Sequence, residues 1–320
     1  MALQNQGVPI SLNDLHIEAG GSSGTTCSLN DSIIRDIISK ASGATNSLFE
    51  YYGQSSETLL TSGGNVNGQP QRKQISVSSF ISSGETFRIP SNMWVWSDST
   101  SVAALTIDIP CTVVNDGKII GKGGNGGYYV GTRATAGGPA INVTSSGVTI
   151  TNSSGAYIAG GGGGGGYYQD QSNPSDAHAG GGGGAGGGNG GTGRVNQGYW
   201  QAGVGGALNA SGTTGGNGYS SAGQGGGAGG GGGGQQTGGG GGGRILPGTG
   251  GGPAACAGGS AGNAGYSYSG FLAGGGGGWG AAGANGGGTT GTFSVGGAGG
   301  AAIQGTSRTL NNSGTIYGST

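Results

Sequence analysis

The chain has 320 residues, of which 90 are glycine, and a formal net charge of −1 at neutral pH. A net charge this close to zero gives the protein no positive electrostatic potential, so neither nucleic acid nor an anionic lipid surface is an expected partner. Residues 1–6 lack the basic and apolar runs of an export signal, and no window is long and apolar enough to span a membrane, so we expect synthesis in a cytosol.

Residues 1–57 have the pattern of an attachment or oligomerisation segment. The alternation from Ile10 to Glu18 predicts a strand, and the segment from Ser28 to Ile38 predicts a helix, with Ser28 and Asp31 as a weak capping box. One short helix cannot bury its own apolar stripe, so the stripe needs a local sheet or a partner chain, and a partner is favoured. The candidate attachment residues are Leu12, Leu15, Leu29, Ile33, Ile34 and Ile37.

Residues 58–120 predict a β-rich collar. The part up to residue 71 reads as a linker or an exposed hairpin, because it contains two glycine-rich turn signals. Alternation in residues 75–81 and 86–90 predicts two strands joined by a turn, and Met93–Trp96 places two tryptophans on one strand face. A further strand is expected within residues 102–109.

An internal repeat is the most specific signal in the chain. Segments beginning at Ala104, Ala140 and Ala302 share the order strand, turn, strand, an Asn-to-Gly turn, strand. That order is typical of a β-solenoid rung or a hairpin layer, and it predicts equivalent buried places for Ile119 and Ile316. We therefore expect residues 306–320 to pack back on the collar.

Glycine tracts dominate the rest of the chain, since 79 of the 90 glycines follow residue 120. Such tracts usually indicate flexible linker, because glycine loses the most conformational freedom on folding. The alternative is ordered: glycine fits the extended helix with three residues per turn, and rods of it can pack on all sides through lateral backbone hydrogen bonds. Copies of the β repeat on both sides of the tracts favour this ordered polyglycine II bundle for residues 121–305.

Candidate chemistry in the glycine region is sparse. His178 lies with Asp170 and Asp176 in one polar segment, which a solvated loop explains better than a metal or acid–base site. The three cysteines are scattered and form no CxxC pair, so small buried or half-exposed thiols are expected. We predict no enzyme, no cofactor and no metal.

Between the tracts lie segments rich in tyrosine, tryptophan, asparagine and serine, the composition of antibody loops. The alternative is that these rings simply pack on glycine rods. Because loops alternate between the two ends of a rod bundle, only about half can face a target. The candidate receptor-binding residues are Tyr128, Tyr129, Tyr167, Tyr168, Tyr199, Trp200, Tyr266, Tyr268 and Phe271.

Glycine tracts separated by variable aromatic loops resemble the distal receptor-binding adhesins of T-even-type long tail fibres, whose tip is a polyglycine II sandwich. The opening of the chain, from Ser11 to Arg35, is similar to the start of tail-fibre and tail-tip proteins of other tailed phages. The resemblance implies a virion protein that attaches to the tail through its N-terminus and binds a bacterial surface protein or glycan through its loops.

The expected fold is thus mostly β and irregular: a docking segment with a short helix, a collar of repeated strand layers, and a polyglycine II bundle. We expect a homotrimer. Two other classes remain open, a glycine-rich structural protein and an ice-binding bundle. The first predicts interchangeable loops and the second a flat, regularly repeated face, whereas the loops here differ from one another.

Overall fold

The computed structural model describes most of the chain outside residues 201–272. The described residues are 3, 10–38, 40, 44–51, 57–66, 68–128, 132–170, 178–191, 193–195, 198–200, 273–287, 291–305 and 307–320. They form mainly strands and extended segments, as predicted, with two short α-helices, α1 (Leu12–Glu18) and α2 (Ser32–Asp36). Single 3₁₀ turns occur at Leu48–Tyr51 and Val77–Ser79.

The described strands follow one another along the chain in twenty short pieces. They are β1 Glu57–Leu59, β2 Asn65–Val66, β3 Gln69–Lys73, β4 Ile75–Ser76, β5 Thr86–Ile89, β6 Trp94–Trp96, β7 Leu105–Ile107, β8 Thr112–Asn115, β9 Lys118–Ile120, β10 Ile141–Val143, β11 Val148–Asn152, β12 Tyr157–Ala159, β13 Tyr168–Asp170, β14 His178–Ala179, β15 Gly193–Val195, β16 Gly198–Trp200, β17 Gly291–Phe293, β18 Ile303–Gly305, β19 Arg308–Asn312 and β20 Thr315–Tyr317.

The strand predicted from Ile10 to Glu18 is wrong, because this segment forms α1. Ser11 caps the helix: its Oγ accepts from the Asp14 backbone N–H at 3.1 Å, and the Asp14 carboxylate accepts from the Ser11 N–H at 2.7 Å. Hydrogen bonds from Ser11 also lower the pKa of the Asp14 carboxyl group. A short alternation of apolar and polar residues is compatible with a strand or a helix, and here the capping box decides in favour of the helix.

The second predicted helix is present but shorter, since α2 begins after Asp31 and only five residues are helical. Its apolar stripe is covered within the chain: Ile34 and Ile37 are buried with Leu15 and Tyr51 in one cluster. The preference for a partner over local cover is therefore wrong for these side chains. Leu12 and Leu29 are partly buried against the same cluster, whereas Ile33 is 45% exposed.

The collar is a three-sided parallel β-solenoid. Sheet I has the order β18-β10-β7-β4, sheet II the order β1-β5-β8-β11-β19, and sheet III the order β2-β3-β6-β9-β12-β20. Each turn of the chain, or rung, visits the three sheets in that sequence. The four rungs are β4-β5-β6, β7-β8-β9, β10-β11-β12 and β18-β19-β20, preceded by β1 and the β2–β3 hairpin.

The register aligns the repeat that the sequence shows. On the inside of sheet III, Val95, Ile119, Ile158 and Ile316 follow one another on adjacent strands. Ile119 is fully buried and Ile316 partly buried against the same core, which confirms their equivalent places. The predicted hairpin between residues 75–81 and 86–90 is wrong: β4 and β5 lie in different sheets, because consecutive strands turn a corner instead of pairing.

Asparagines mark the same corner in three successive rungs. Asn115, Asn152 and Asn312 are in register, and each Nδ2 donates to the Oδ1 of the next at 2.8 Å. Asn115 Oδ1 also accepts from the backbone N–H of Gly117 at 3.1 Å. The repeated Asn-to-Gly turn is thus a hydrogen-bonded ladder that fixes the stacking of the rungs.

Two excursions from the solenoid build the glycine bundle. The first leaves after β9, runs out through residues 121–127 and returns through 135–138 before β10. The second leaves after β12 and returns before β18. Its described parts are the rods 160–166, 181–185, 188–191, 273–278, 281–286 and 294–300. Residues 141–159 therefore belong to the solenoid, although they lie inside the predicted glycine range of 121–305.

The rod of residues 160–166 lies at the centre of the bundle. All seven of its N–H groups donate, and all seven of its C=O groups accept, at 2.7–3.0 Å. Partners recur every third residue, as expected for three residues per turn. Gly163 and Gly166 donate to Ala281 and Ala284, which run parallel to the central rod, while donation from Gly161 and Gly164 goes to an antiparallel neighbour. The partner segments are 281–284, 135–138, 182–185, 274–280, 297–300 and 124–127.

Only glycine fits in this central rod. A Cβ built on any residue from 160 to 166 would lie 1.9–2.1 Å from a backbone carbonyl oxygen of a neighbouring rod. In the surrounding rods, residues with side chains occur at exposed positions, such as Thr135 and Asn125, and small ones also at buried positions, such as Ala185 and Ala284. The ordered bundle predicted from the glycine tracts is confirmed for the described rods.

Replacement of Gly163 by alanine tests this packing. A Cβ there would meet Gly297 O at 1.9 Å, and that atom belongs to backbone that cannot move alone. Gly163→Ala should lower the free energy of unfolding by about 3 kcal/mol or more, measured by urea denaturation. The matched control is Gly127→Ala at a rod end, where the nearest atoms lie at 3.1 Å. Equal stability of the two variants would contradict the packing described.

Candidate functional site at the distal end of the bundle

The rods have one end at the solenoid and one end away from it. Gly160 donates to Tyr317 O of β20, so this end of the central rod touches the solenoid. Seven residues at about 3.1 Å each carry the rod roughly 20 Å outward. We call the far end the distal end; its described residues are 125–128, 132–135, 166–170, 178–180, 189–191, 193–195, 198–200, 285–287 and 291–294.

Tryptophan joins the bundle to the solenoid at the near end. Trp279, in the turn between two rods, is fully buried against Trp94, Ile120 and Ala159 of sheet III, together with Ala185. Trp94 and Trp96 lie on the outer face of their strand on either side of the inward Val95, as predicted from Met93–Trp96. The turns at 185–187 and 279–280 thus face the solenoid, which leaves the longer connections at the distal end.

A small antiparallel sheet covers part of the distal end. Its strand order is β16-β15-β14-β13-β17. Tyr168 on β13 is fully buried and packs on Ala273, so this face of the sheet is turned toward the rods. The sheet is tied to the bundle at Ser294, whose Oγ accepts from the Tyr167 N–H at 2.9 Å and whose N–H donates to Tyr167 O at 3.1 Å.

The register places one polar row across this sheet. Its members are residues that pair in register across all five strands. From one edge to the other they are Tyr199, Arg194, His178, Gln169 and Thr292. The backbone of the five strands thus brings these residues into one line at the distal end.

A pocket of about 360 Å³ opens beside the first distal connection. It is lined by Asn125, Gly126, Tyr128, Thr132, Arg133, Thr135, Asn189 and Gly190. Tyr128 is 43% exposed, and its N–H donates to Thr132 O at 3.2 Å, which closes the connection into a short bridge. The pocket offers an aromatic ring, a guanidinium group, hydroxyls and amides.

The structure divides the predicted receptor-binding residues into three groups. Tyr128 is exposed at the pocket, and the backbone places Tyr199 and Trp200 on the edge strand β16. Tyr167 and Tyr168 are only 6% and 0% exposed, so the expectation of exposed rings is wrong for both. They pack inward, as the alternative held. Predictions that fall outside the described residues are Tyr129, Tyr266, Tyr268 and Phe271.

The pocket residues other than Tyr128 were missed. Arg133 is one of only six charged side chains after Lys122, and that rarity is the signal which could have found it. Asn125 and Asn189 sit within glycine-rich runs, where their spacing carries no information until the rods are aligned.

Among the described residues, metal-binding and reactive side chains give no second candidate site. No group of three or more His, Cys, Asp or Glu side chains could hold a metal ion within the described ranges. Cys111 is buried in the solenoid core, and burial raises the pKa of its thiol to about 11. Cys27 is half-buried, and Cys256 lies outside the described residues. No helix in the described part of the chain is long and apolar enough to cross a membrane.

A stiff solenoid that carries a bundle of rods, with polar and aromatic groups at the far end, defines a binding protein. The sequence matches the family model of the phage tail fibre adhesin Gp38 over residues 58–229, more than half of the chain. The chain belongs to this family. It is a tail fibre adhesin of a phage virion and recognises a receptor on the host cell surface during adsorption.

A comparison with solved structures found the gp37–gp38 adhesin tip complex of the bacteriophage S16 long tail fibre. That match has 19% sequence identity and a TM-score of 0.44, and it covers 99% of both chains. No curated protein matches the chain in sequence. Membership of this adhesin family points to a structural, binding protein.

Proposed function

We propose that the two ends of this adhesin have separate tasks. The N-terminal segment attaches to a protein of the tail fibre, and the distal end of the glycine bundle contacts a bacterial surface protein or glycan. The observation that carries this division is that the chain runs alternately away from the solenoid and back to it. Short buried turns therefore lie at the solenoid, and polar, aromatic connections lie at the other end.

For the distal end, support comes from exposure and rigidity together. Tyr128 presents nearly half of its surface, and the distal sheet is anchored to rods whose hydrogen bonds are satisfied. Exposed aromatic side chains on a rigid frame contribute much contact area at little entropic cost. Several copies on one virion would add avidity to a modest affinity for each site.

For the N-terminal end, support comes from a groove of about 660 Å³ between the helices and the solenoid. It is lined by Glu18, Asp36 and Glu85 beside the apolar Ile33, and Ile17 of α1 is also 42% exposed. Three carboxyl groups around an exposed apolar side chain suit a fibre segment that carries an apolar residue next to lysine or arginine.

The homotrimer stays a prediction. The described rods around the central one all come from a single chain, so the bundle itself needs no second copy. Static light scattering on the purified protein distinguishes one copy from three.

Attachment can be tested at Ile33. Ile33→Asp should lower recovery of the adhesin with tail fibres by about tenfold, because it puts a charge into the apolar part of the groove. Its melting temperature should not change, since Ile33 is 45% exposed. Val295→Asp, at a position 63% exposed on the bundle, is the matched control. Normal recovery of the Ile33→Asp protein would rule out the groove as the attachment site.

Receptor contact can be tested by competition with phage adsorption. The purified protein should block adsorption to its host, and the triple variant Tyr128→Ala, Tyr199→Ala, Trp200→Ala should require at least about tenfold more protein for the same block. Val102→Ala is the control, because Val102 is similarly exposed, at 45%, but lies on the solenoid. If the triple variant competes as well as the unchanged protein, these residues do not contact the receptor.

A further inference from the structure

The pocket beside Tyr128 has a floor made of rod ends. Asn125 donates its backbone N–H to Thr135 Oγ1 at 2.7 Å, and the Thr135 N–H donates back to Asn125 O at 3.0 Å. On the other side, the Asn189 N–H donates to Asn125 Oδ1 at 3.0 Å, and the Gly126 N–H donates to Asn189 O at 2.8 Å. Four hydrogen bonds therefore hold three rods in a fixed arrangement, so a ligand meets a preformed site.

The groups around this floor suit a small, hydroxyl-rich ligand. Thr132 and Thr135 contribute hydroxyl groups, and Asn125 and Asn189 contribute carboxamides, which both donate and accept. Tyr128 adds an exposed ring against which the apolar face of a sugar can lie. A volume of about 360 Å³ is at the lower end of the range for ligand pockets, which favours one monosaccharide unit over a peptide loop.

Charge adds a further requirement on the ligand. Arg133 is exposed at the pocket, and it forms no ion pair or hydrogen bond with the residues that the structure describes. No acidic residue lines the pocket among the described residues, and Asp170 and Asp176 are the only two that follow residue 122 in the sequence. A guanidinium group in this setting is suited to a planar, two-point contact with a phosphate or carboxylate group.

We infer that this pocket binds a sugar unit bearing a phosphate or carboxylate group on the host surface. Tyr128 stacks on the sugar ring, Arg133 pairs with the acidic group, and the Asn and Thr side chains bind the hydroxyls. The inference rests on the proposed function of the distal end, and it names the chemical class of receptor that this end recognises.

Binding is measured on the full chain by saturation-transfer NMR and calorimetry with four probes: glucose 6-phosphate, glucuronic acid, glucose and inorganic phosphate. The two acidic sugars should bind at least about tenfold more tightly than glucose or inorganic phosphate, because only they use both the ring and the guanidinium group. If glucose bound as tightly as the acidic sugars, the role of Arg133 would be overturned. If inorganic phosphate bound as tightly as they do, the requirement for a sugar ring would be overturned.

Variants locate the site. Arg133→Gln should weaken binding of both acidic sugars about tenfold, and Arg133→Lys should weaken it less, because the charge stays while the two-point contact is lost. Arg308→Gln removes the same charge from the last rung of the solenoid and should bind normally. Circular dichroism establishes that each variant is folded. Unchanged binding by folded Arg133→Gln protein, or stronger competition by a glutamate-rich peptide, would overturn the inference.

Adsorption to mutant bacterial strains shows which surface molecule supplies the acidic group. It also tests this inference separately from the proposed function. Bacteria that lack phosphate on surface glycolipids, and bacteria that lack acidic capsule, identify which sugar is used: adsorption should fall in one strain. If the protein adsorbs to both strains as well as to the parent and acidic sugars do not compete, the pocket inference fails while receptor contact at the distal end stands. If the protein binds no host cell, the proposed function itself fails.

Discussion

The rest of the molecule depends on one constraint: the glycine rods must satisfy all their backbone hydrogen bonds with one another, and they can do so only where no side chain separates them. In the rod of residues 160–166 every N–H and C=O group is paired with a neighbouring rod or, at Gly160, with strand β20, and a Cβ at any of the seven positions would collide with a carbonyl oxygen. Glycine normally costs conformational entropy on folding. Here about two lateral hydrogen bonds per residue offset that cost, and they form only because no side chain separates the rods.

The glycine rods also need to be anchored on the solenoid. Isolated rods would have no fixed length or partner, but the chain enters and leaves the bundle through solenoid rungs that are in register with one another. The Asn115–Asn152–Asn312 ladder aligns the last two described rungs across an insertion of more than a hundred residues. Trp279 then seats the near end of the bundle on sheet III. The described rod ends at the distal end are consequently held in place by backbone hydrogen bonds.

Much of this architecture could be predicted from the sequence, because glycine density and the three copies of the repeat are properties of composition and spacing. A strand is wrongly predicted where α1 forms, because the local hydrogen bonds of the capping box of Ser11 and Asp14 decide the conformation there. The direction of each loop depends on how many residues each rod contains and where it turns. For that reason the burial of Tyr167 and Tyr168, and the assembly of Asn125, Arg133 and Asn189 into one pocket, could not be read from the sequence.

Hydrogen exchange of glycine amides measures the central claim most directly. If residues 160–166 form a fully bonded rod, their amides should exchange as slowly as those of the solenoid strands β8 and β11, since both open only when the structure unfolds. Exchange near the rate of an unstructured peptide in this rod, alongside protected solenoid strands, would contradict the account.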